Sequence, residues 1–281
     1  MSRFVYLFDA VAARQVLDAM EQGNDRVTIS VDLNRSRRYF AVECDELILD
    51  QTTRLGRNSL RRIASKPQRV FFLQGERLEI LEARDDGYYK LVPTDQAPLL
   101  EISGVKMHIS KGISPFDSAS RMAAQVVRKG SRILDTCSGL GYAAIAARTL
   151  GARQVVTVEK SPMVIALRAK NPWSDGLMAP EILSVEGDIN NYIIALETAS
   201  FDGIIHDPPR FSLAGELYGE AFYRQLYRVL KRRGRLFHYT GNPGQNRRGS
   251  GFVDDALRRL KAVGFREVTR VAELMGVVAR K

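Results

Sequence analysis

From residue 119 onward, the chain alternates short apolar runs with longer segments whose apolar residues recur every three to four positions. A short apolar run predicts a buried strand, and the three-to-four spacing predicts a helix with one buried face. The predicted strands cover residues 131–135, 155–159, 182–185, 201–205, 234–239, 266–271 and 276–279, and the predicted helices cover 119–127, 143–149, 189–196, 218–230 and 253–263. This alternation predicts an α/β protein with a doubly wound, seven-stranded sheet.

The first 95 residues show a different pattern, in which short strands follow one another closely. Pro93 and Pro98 punctuate the end of this region, and a hairpin around Ser103 and Gly104 is expected after it. The predicted strands cover residues 27–31, 38–42, 47–49, 69–73, 77–83 and 88–92, and the predicted helices cover 8–20 and 60–64. We therefore predict a smaller β-rich α+β domain over residues 1–95 and the α/β domain over 96–281.

The composition is ordinary for a globular protein, with 45% hydrophobic and 26% charged residues among 281. No apolar run approaches the roughly 20 residues that span a bilayer, and no signal peptide is recognisable. Cys44 and Cys137 provide neither a disulfide framework nor a metal quartet, and the three histidines show no metal-ligand spacing. We expect a cytoplasmic protein with no membrane partner and no metal.

The formal net charge of +10 favours a polyanionic partner, and most of the cations are arginine. Guanidinium groups bind phosphates and stack on bases, so RNA is the partner that we predict, with a compositional bias as the alternative. Arg57 and Arg61 share one face of the predicted short helix, near Arg54 and Arg62. They form either a patch that binds substrate or an ordinary solvated face.

A turn of small residues lies between two of the predicted strands. Asp135 ends the first strand, Gly139 and Gly141 lie in the turn that precedes a helix, and Glu159 ends the next strand. Small residues let backbone N–H groups approach a ligand, and an acid at this distance can accept hydrogen bonds from ribose hydroxyls. The order of these parts favours a nucleoside-binding site over a purely structural turn.

The stretch SRILDTCSGLGY over residues 131–142 resembles motif I of the class I S-adenosylmethionine-dependent methyltransferases, D-x-x-x-G-x-G. Cys137 stands where many members have glycine. A dinucleotide-binding dehydrogenase is the rival, but its G-x-G-x-x-G pattern fits less well. The closing strands 266–271 and 276–279 resemble the antiparallel hairpin of the methyltransferase sheet, so the resemblance covers about residues 112–281.

The resemblance implies S-adenosyl-L-methionine as cofactor and a set of residues that bind it. Phe116 and Ser118 would cover its methionine end, although Asp117 or Ser118 could instead cap a helix. Asp188 and Ile189 would contact the adenine, although Asp188 could also be a helix cap. The full set is Phe116, Ser118, Asp135, Thr136, Cys137, Ser138, Gly139, Gly141, Tyr142, Glu159, Lys160, Gly187, Asp188 and Ile189.

The fourth strand of the α/β domain ends in Asp207, Pro208 and Pro209, followed by Arg210 and Phe211. An Asp-Pro-Pro-aromatic motif marks family members that methylate planar amino groups, and it implies that Asp207 and the Pro208 carbonyl accept the two N–H bonds of the target. Arg210 stands in the usual aromatic slot, so Phe211 is the candidate stacking partner. A structural turn is the alternative. The motif also resembles that of ribosomal RNA methyltransferases, some of which methylate a carbon of cytosine through a nucleophilic cysteine on the next strand. The next strand here has no cysteine, which argues against carbon methylation of that kind.

These features predict an S-adenosylmethionine-dependent N-methyltransferase that acts on an amino group of structured RNA. The whole arrangement resembles a group of uncharacterised archaeal methyltransferases with an Asp-Pro-Pro motif. The alternatives are a methyltransferase of a protein or small-molecule amine, and a non-catalytic cofactor-binding module that binds RNA. His206 and His238 are expected in the core of the sheet. The alternative for His238 is that its side chain points into the substrate pocket.

Overall fold

The computed structural model describes residues 5–109, 111–241 and 249–281, apart from the side chains of residues 249, 250 and 252. The chain folds into two compact units. The first comprises Met1–Pro115 together with Ala166–Trp173, and the second comprises Phe116–Ile165 together with Ser174–Lys281. No helix in the described ranges is long and apolar enough to cross a membrane.

The first unit consists of short antiparallel strands and two helices. Its strands form three small sheets with the orders β1-β6-β7, β2-β3-β4-β5 and β8-β9-β10-β11. The strands are β1 (Tyr6–Phe8), β2 (Arg26–Ile29), β3 (Arg38–Glu43), β4 (Glu46–Ile48), β5 (Arg54–Gly56), β6 (Phe71–Gln74), β7 (Arg77–Ile80), β8 (Glu82–Arg84), β9 (Tyr88–Val92), β10 (Leu99–Ile102) and β11 (Val105–Lys106), and the helices are α1 (Ala10–Glu21) and α2 (Arg57–Ala64).

The predicted β-rich character of this region agrees with the structure, with some differences in detail. Asp9 caps α1 by accepting a 2.8 Å hydrogen bond from the Ala12 amide, which fixes where that helix begins. The run predicted as one strand over 77–83 is divided into β7 and β8. The boundary predicted between residues 95 and 96 falls between β9 and β10, which are paired antiparallel, so this sheet carries the first unit as far as Pro115.

The chain from Pro115 onward contains seven strands and six α-helices in its described part. The strands are β12 (Arg132–Asp135), β13 (Gln154–Glu159), β14 (Ile182–Glu186), β15 (Phe201–His206), β16 (Leu230–Tyr239), β17 (Arg266–Val271) and β18 (Gly276–Arg280), and the helices are α3 (Pro115–Ala124), α4 (Tyr142–Thr149), α5 (Pro162–Arg168), α6 (Ile189–Ala195), α7 (Glu220–Val229) and α8 (Gly249–Val263).

These strands form one sheet in the order β14-β13-β12-β15-β16-β18-β17. The five strands from β14 to β16 pair in parallel, and β18 pairs antiparallel with both β16 and β17. The order reverses on either side of β12, so the ends of β12, β13 and β15 form the switch point at which ligands bind in open α/β sheets. The predicted doubly wound, seven-stranded sheet and its closing antiparallel pair are confirmed.

Small residues allow the elements around β12 to pack closely. Four alanines of α4 are buried, and an added Cβ at Gly203 on β15 would lie 2.9 Å from both Ile133 Cδ1 and the Val126 carbonyl oxygen. Such tight packing holds the strand ends in fixed positions. The predicted capping of α3 by Asp117 or Ser118 is wrong, because the helix begins at Pro115 and both residues lie inside its first turn.

Candidate cofactor and substrate site

Three carboxylates end three adjacent parallel strands. Asp135 ends β12, Glu159 ends β13, and Asp207 directly follows β15. Because β13, β12 and β15 are neighbours in the sheet, the three residues lie along its carboxyl edge, where the sequence predicted them.

Two glycines shape the turn between β12 and α4. Gly139 has a φ of 52° and Gly141 a φ of 84°, a region that favours glycine. The turn is closed by a 2.7 Å hydrogen bond from the Gly141 amide to the Ser138 carbonyl. An added Cβ at Gly141 would lie 2.4 Å from Leu177 Cδ1, whereas one at Gly139 would meet nothing within 4 Å. Gly141 therefore serves packing, and Gly139 borders open space.

The Glu159 carboxylate is held by two backbone amides. Its Oε2 accepts a 2.8 Å hydrogen bond from Gly139, and its Oε1 accepts a 2.9 Å hydrogen bond from Ser161. The contact with ribose hydroxyls that the sequence predicted for Glu159 stays a prediction. The hydrogen bond from Gly139 couples Glu159 to the glycine turn.

Asp188 and Lys160 form an ion pair beside this position. Lys160 Nζ lies 2.8 Å from Asp188 Oδ2, while Asp188 Oδ1 accepts a 2.9 Å hydrogen bond from the Asn190 amide and caps α6. Burial favours a raised pKa for Asp188, but the hydrogen bonds from Lys160 and Asn190 outweigh it and hold the pKa below its usual value. Asp188 is thus the helix cap that the sequence offered as an alternative, which leaves its predicted contact with adenine a prediction.

Asp135 and Thr136 have structural partners. Thr157 donates a 2.7 Å hydrogen bond to Asp135 Oδ2, which links β13 to β12 in the interior of the sheet. The Thr136 amide donates to the Ile205 carbonyl, and its hydroxyl lies 2.8 Å from His206 Nδ1. These bonds fix the start of the turn from both neighbouring strands.

Phe116, Ser118 and Tyr142 come from the helices that flank the turn. The rings of Phe116 and Tyr142 pack at a centroid distance of 5.5 Å. The Ser118 side chain is buried, and its hydroxyl has no hydrogen-bond partner within the part of the chain that the structure describes. A buried hydroxyl without a partner is costly, so a ligand that supplied one would be stabilised here.

The site fits S-adenosylmethionine in its donor set and in its space. Gly139 and Gly187 both lack neighbours within 4 Å of the position of a Cβ, Glu159 presents an oriented carboxylate, and Ser118 holds an unsatisfied hydroxyl. Ile189 is buried at the start of α6, next to the Asp188 cap. When bound, this cofactor would supply an electrophilic methyl group on a sulfonium.

Asp207 is half-buried at the end of β15, and burial raises its pKa from 3.8 to about 7. Its charge in turn acts on three neighbours. Burial, with Asp207 as a further cause, raises the pKa of Tyr239 to about 12 and the pKa values of Tyr218 and Cys137 above their usual range. Tyr218, Tyr239 and Cys137 therefore stay uncharged near neutral pH beside Asp207.

Tyr218 holds the backbone of the motif. Its hydroxyl donates a 2.9 Å hydrogen bond to the Pro209 carbonyl and lies 3.5 Å from the Pro208 carbonyl. Its buried ring packs against His238 at 5.3 Å. Sequence analysis missed both Tyr218 and Tyr239, because Tyr218 was assigned to the predicted helix over 218–230 and Tyr239 to the last position of a strand. Tyr239 ends the strand next to that of Asp207, which was a sign for that residue, whereas Tyr218 lies in a 3₁₀ turn over Gly215–Tyr218 and had no such sign.

The two histidines of the sheet are neutral core residues. His206 accepts from Thr136 at Nδ1 and donates from Nε2 to the Leu217 carbonyl at 3.0 Å. His238 donates from Nδ1 to the His206 carbonyl and accepts from the Tyr223 hydroxyl at 2.8 Å. Burial lowers the pKa of both residues, for His238 to about 4. Their hydrogen bonds connect β15, which ends just before Asp207, to β16 and to the residues around it.

The predicted substrate residues fall in different units, and Arg61, Arg210 and Phe211 are exposed whereas Arg57 is half-buried. Phe211 is 51% exposed and packs edge-to-face on Tyr218 at 5.7 Å, and Arg210 beside it is exposed. Arg57 and Arg61 lie on α2 in the first unit. Arg57 is paired with Asp45 at 2.6 Å, and Arg54 belongs to β5 rather than to the helix.

Within the described ranges, no group of three or more His, Cys, Asp or Glu side chains is placed to hold a metal ion.

Comparison with solved structures gives the fold. A spermidine synthase in complex with the transition-state analogue AdoDATO is 18% identical, with a TM-score of 0.60 and coverage of 75% of each chain. A spermidine synthase from Thermotoga maritima is 19% identical, with a TM-score of 0.57 and coverage of 74% of each chain. At such identities the likeness concerns the fold alone. The predicted class I methyltransferase fold is confirmed.

Comparison of sequences identifies a relative along nearly the whole chain. No family model matches. The uncharacterized protein MJ1233 of Methanocaldococcus jannaschii is 38% identical over 278 residues, which cover 96% of this chain and 93% of the relative. The chain therefore belongs to the family of that Methanocaldococcus jannaschii protein, and it has the fold of the class I S-adenosylmethionine-dependent methyltransferases.

Proposed function

We propose that the protein is an S-adenosylmethionine-dependent N-methyltransferase that acts on an amino group of structured RNA. The observation that carries the proposal is the position of Asp207, which lies with the Pro208 carbonyl at the same edge of the sheet as the glycine turn and Glu159. The half-buried carboxyl, with a pKa near 7, is poised to accept a hydrogen bond or a proton at neutral pH.

The chemistry requires a nitrogen that is a poor nucleophile to be held in line with a methyl group. In a planar amine the nitrogen lone pair is delocalised, and acceptors on both N–H bonds favour its release toward the electrophile. Asp207 provides one acceptor and the Pro208 carbonyl the other. The methylated nitrogen of a planar amine is strongly acidic and loses its extra proton to water, so this target requires Asp207 as a hydrogen-bond acceptor rather than as a base.

Tyr218 is a positioning residue in this scheme. Its hydroxyl binds the Pro209 carbonyl at 2.9 Å, and its ring is fixed by the neighbouring aromatic side chains. Two prolines restrict the backbone that follows Asp207, and the tyrosine bond adds a tertiary restraint. The direction of the Pro208 carbonyl is therefore set before substrate binds, which lowers the cost of orienting the amine.

Charge and motif support RNA as the substrate class. The chain has a formal net charge of +10, and a phosphate backbone would bind to its guanidinium groups. Phe211 and Arg210 follow the motif directly and are exposed, so a base delivered to Asp207 would meet a ring and a planar cation.

The test is methyl transfer from a tritiated cofactor into separate RNA, protein and metabolite fractions of the source cell. The parent protein should label RNA, and Asp207→Ala should lower the rate by about 100-fold or more while cofactor binding persists, because one transition-state acceptor is lost. Glu216→Ala, an exposed change in the 3₁₀ turn over Gly215–Tyr218, serves as the control. Full activity of Asp207→Ala would reject the proposed site.

A small-molecule or protein amine is the second candidate substrate, favoured by the raised pKa of Asp207. A carboxylate with a pKa near 7 suits removal of a proton from an aliphatic ammonium group. Asp207→Asn separates the candidates, because its amide oxygen still accepts a hydrogen bond but cannot take the proton. A smaller loss of methyl-transfer activity in Asp207→Asn than in Asp207→Ala supports a planar amino group. An equal loss of activity in the two variants supports the aliphatic amine.

A further inference from the structure

A basic cleft lies at the edge of the large sheet opposite to the glycine turn. Its volume is about 260 Å³, and it is lined by residues that precede β12, by the start of β15 and by the first half of β16. The charged side chains that line it are Arg128, Lys129, Lys231, Arg232, Arg233, Arg235 and Asp202. With six cations and one carboxylate, the lining carries a net charge of +5, half the formal charge of the whole chain.

The single carboxylate of the lining is already neutralised. Asp202 Oδ1 lies 2.7 Å from Lys231 Nζ, and its Oδ2 accepts a 2.8 Å hydrogen bond from the Arg132 amide. Burial favours a raised pKa for Asp202, but these bonds outweigh it and hold the pKa below the usual value. Asp202 thus stays charged and pairs with Lys231, and the lining includes no second acid for its other five cations.

A bulge in β16 places several of these cations at the edge of the sheet. The pairing of β15 with β16 steps from Phe201 and Leu230 to Gly203 and Arg235, so residues 231–234 stand opposite Asp202 alone. Arg233 occupies the left-handed region with a φ of 65°, and its amide donates to the Lys281 carbonyl at 2.9 Å. The bulged backbone is therefore anchored, while Arg232 and Arg233 are exposed.

The basic surface continues along the sheet. Arg235 is directly opposite Arg280 on β18, and Arg280 is directly opposite Arg266 on β17. Directly opposed side chains lie on one face, about 5 Å apart, and like charges in this arrangement destabilise a sheet. Only Arg280 among these three has an ion pair described, with Glu267 at 2.8 Å. A polyanion with closely spaced charges would offset the repulsion between these arginines.

From this cleft and row of arginines we infer a second RNA-binding surface, which takes the phosphodiester backbone and anchors the substrate away from the reacting base. The inference rests on the proposed function for its choice of RNA as the polyanion. Asp202 and Asp207 are five residues apart on one extended strand, which corresponds to roughly 16 Å. The cleft therefore cannot contact the base at Asp207, and it contributes affinity without taking part in the chemistry.

The test compares charge reversals with equal total charge. Lys129→Glu with Arg232→Glu changes an exposed cation on each wall of the cleft, and Arg224→Glu with Arg258→Glu makes the same charge change on exposed faces of α7 and α8. Binding of a fluorescent RNA hairpin is measured without cofactor as a function of salt. The cleft variant should bind about 10-fold more weakly at 0.1 M salt, with a salt slope smaller by about 2, and the control variant should bind within about twofold of the parent.

Equal affinity of the cleft variant and the parent for the hairpin would overturn the inference that the cleft binds RNA, and it would leave the proposed methyl transfer intact. Conversely, RNA binding that depends on the cleft, without any transfer of tritium to RNA, would overturn the proposed function and leave the cleft standing. A DNA duplex that displaces the hairpin better than unlabelled RNA would overturn the choice of RNA. Thermal unfolding of each variant checks that the exposed changes leave the fold intact.

Discussion

The carboxyl group of Asp207 links chemistry to stability, because burial raises its pKa from 3.8 to about 7. A folded chain that holds a proton more tightly than the unfolded chain gains stability below the unfolded pKa and loses it as the pH rises through the folded one. Asp207 should therefore destabilise the protein progressively between about pH 4 and pH 7, by at most about 4 kcal/mol.

Asp207→Asn removes this titration and should raise the free energy of unfolding more at pH 8 than at pH 4. Urea unfolding of the parent and the variant at both values measures the difference. Asp202→Asn is the contrasting control, because the pKa of Asp202 is lowered and its ion pair is lost in the variant at both pH 8 and pH 5. A stability gap between Asp207→Asn and the parent that does not change with pH would show that Asp207 has an ordinary pKa.

Glu159 is the residue whose environment predicts cofactor affinity. Its two oxygens are oriented by the amides of Gly139 and Ser161, and the sequence predicts that this carboxylate accepts hydrogen bonds from the ribose hydroxyls of the cofactor. Glu159→Ala should weaken binding of S-adenosylmethionine by about 1.5–3 kcal/mol in calorimetry. Glu181→Ala, at the start of β14, is the control and should bind as the parent does. Tighter binding of NADH than of S-adenosylmethionine would contradict the cofactor assignment.

At the scale of elements, the two glycines of the β12–α4 turn have separable roles. Gly141→Ala places a methyl group 2.4 Å from Leu177 Cδ1 at a φ of 84°, so the free energy of unfolding should fall by about 2 kcal/mol or more. Gly139→Ala meets open space at a φ of 52° and should cost only about 1 kcal/mol, yet it should weaken cofactor binding about 10-fold. Urea unfolding and calorimetry together measure both effects. Unchanged cofactor affinity in Gly139→Ala would place the ligand elsewhere.

Element positions were predictable wherever the hydrophobic pattern was continuous. The strand predicted over 201–205 is observed as Phe201–His206, and the one over 155–159 as Gln154–Glu159. The helix predicted over 119–127 begins four residues earlier, because Pro115 takes its first position and the Ser-Pro-Phe-Asp stretch carries no apolar period. The strand predicted from residue 234 begins at Leu230, because its pairing with Phe201 resumes after a bulge that spacing does not reveal.

The candidate site was predictable at the strand ends and not beyond them. Asp135, Glu159 and Asp207 each follow an apolar run, and parallel strands bring their ends together. The bond from Tyr218 to the Pro209 carbonyl depends on how a 3₁₀ turn over Gly215–Tyr218 folds back onto the motif, and that is a tertiary effect. The basic cleft likewise joins residues near 129, 202 and 232, whose proximity follows from strand order alone.

At the scale of the whole molecule, one short segment from the later part of the chain belongs to the first unit, and the sequence pattern does not predict this. Residues 166–173 belong to the first unit, where Trp173 donates a 2.8 Å hydrogen bond to the Leu33 carbonyl and Lys170 Nζ lies 3.8 Å from the centre of the Phe72 ring. These interactions join residues more than 90 positions apart, so no local periodicity marks them. The predicted role of the first unit in substrate recognition stays a prediction.

Positive charge is distributed over both units, and a last prediction concerns which of them contributes to the proposed RNA binding. Arg57 and Arg61 on α2 were predicted to bind substrate, but the Arg57 guanidinium is already committed to Asp45 at 2.6 Å. Arg61 is exposed and has no ion pair described. Arg61→Glu should therefore weaken binding of the RNA hairpin by about threefold to tenfold, and adding Arg57→Glu should change it little more.

Combining these changes with Lys129→Glu and Arg232→Glu shows whether one RNA uses both surfaces. If it does, the losses in binding free energy should add, because the residues are in separate units with no shared partner, and the salt slope should fall further with each surface removed. Binding titrations at several salt concentrations measure both quantities. An α2 variant with parental affinity, beside a weakened cleft variant, would assign RNA binding to the second unit alone and leave Arg57 and Arg61 as a solvated face.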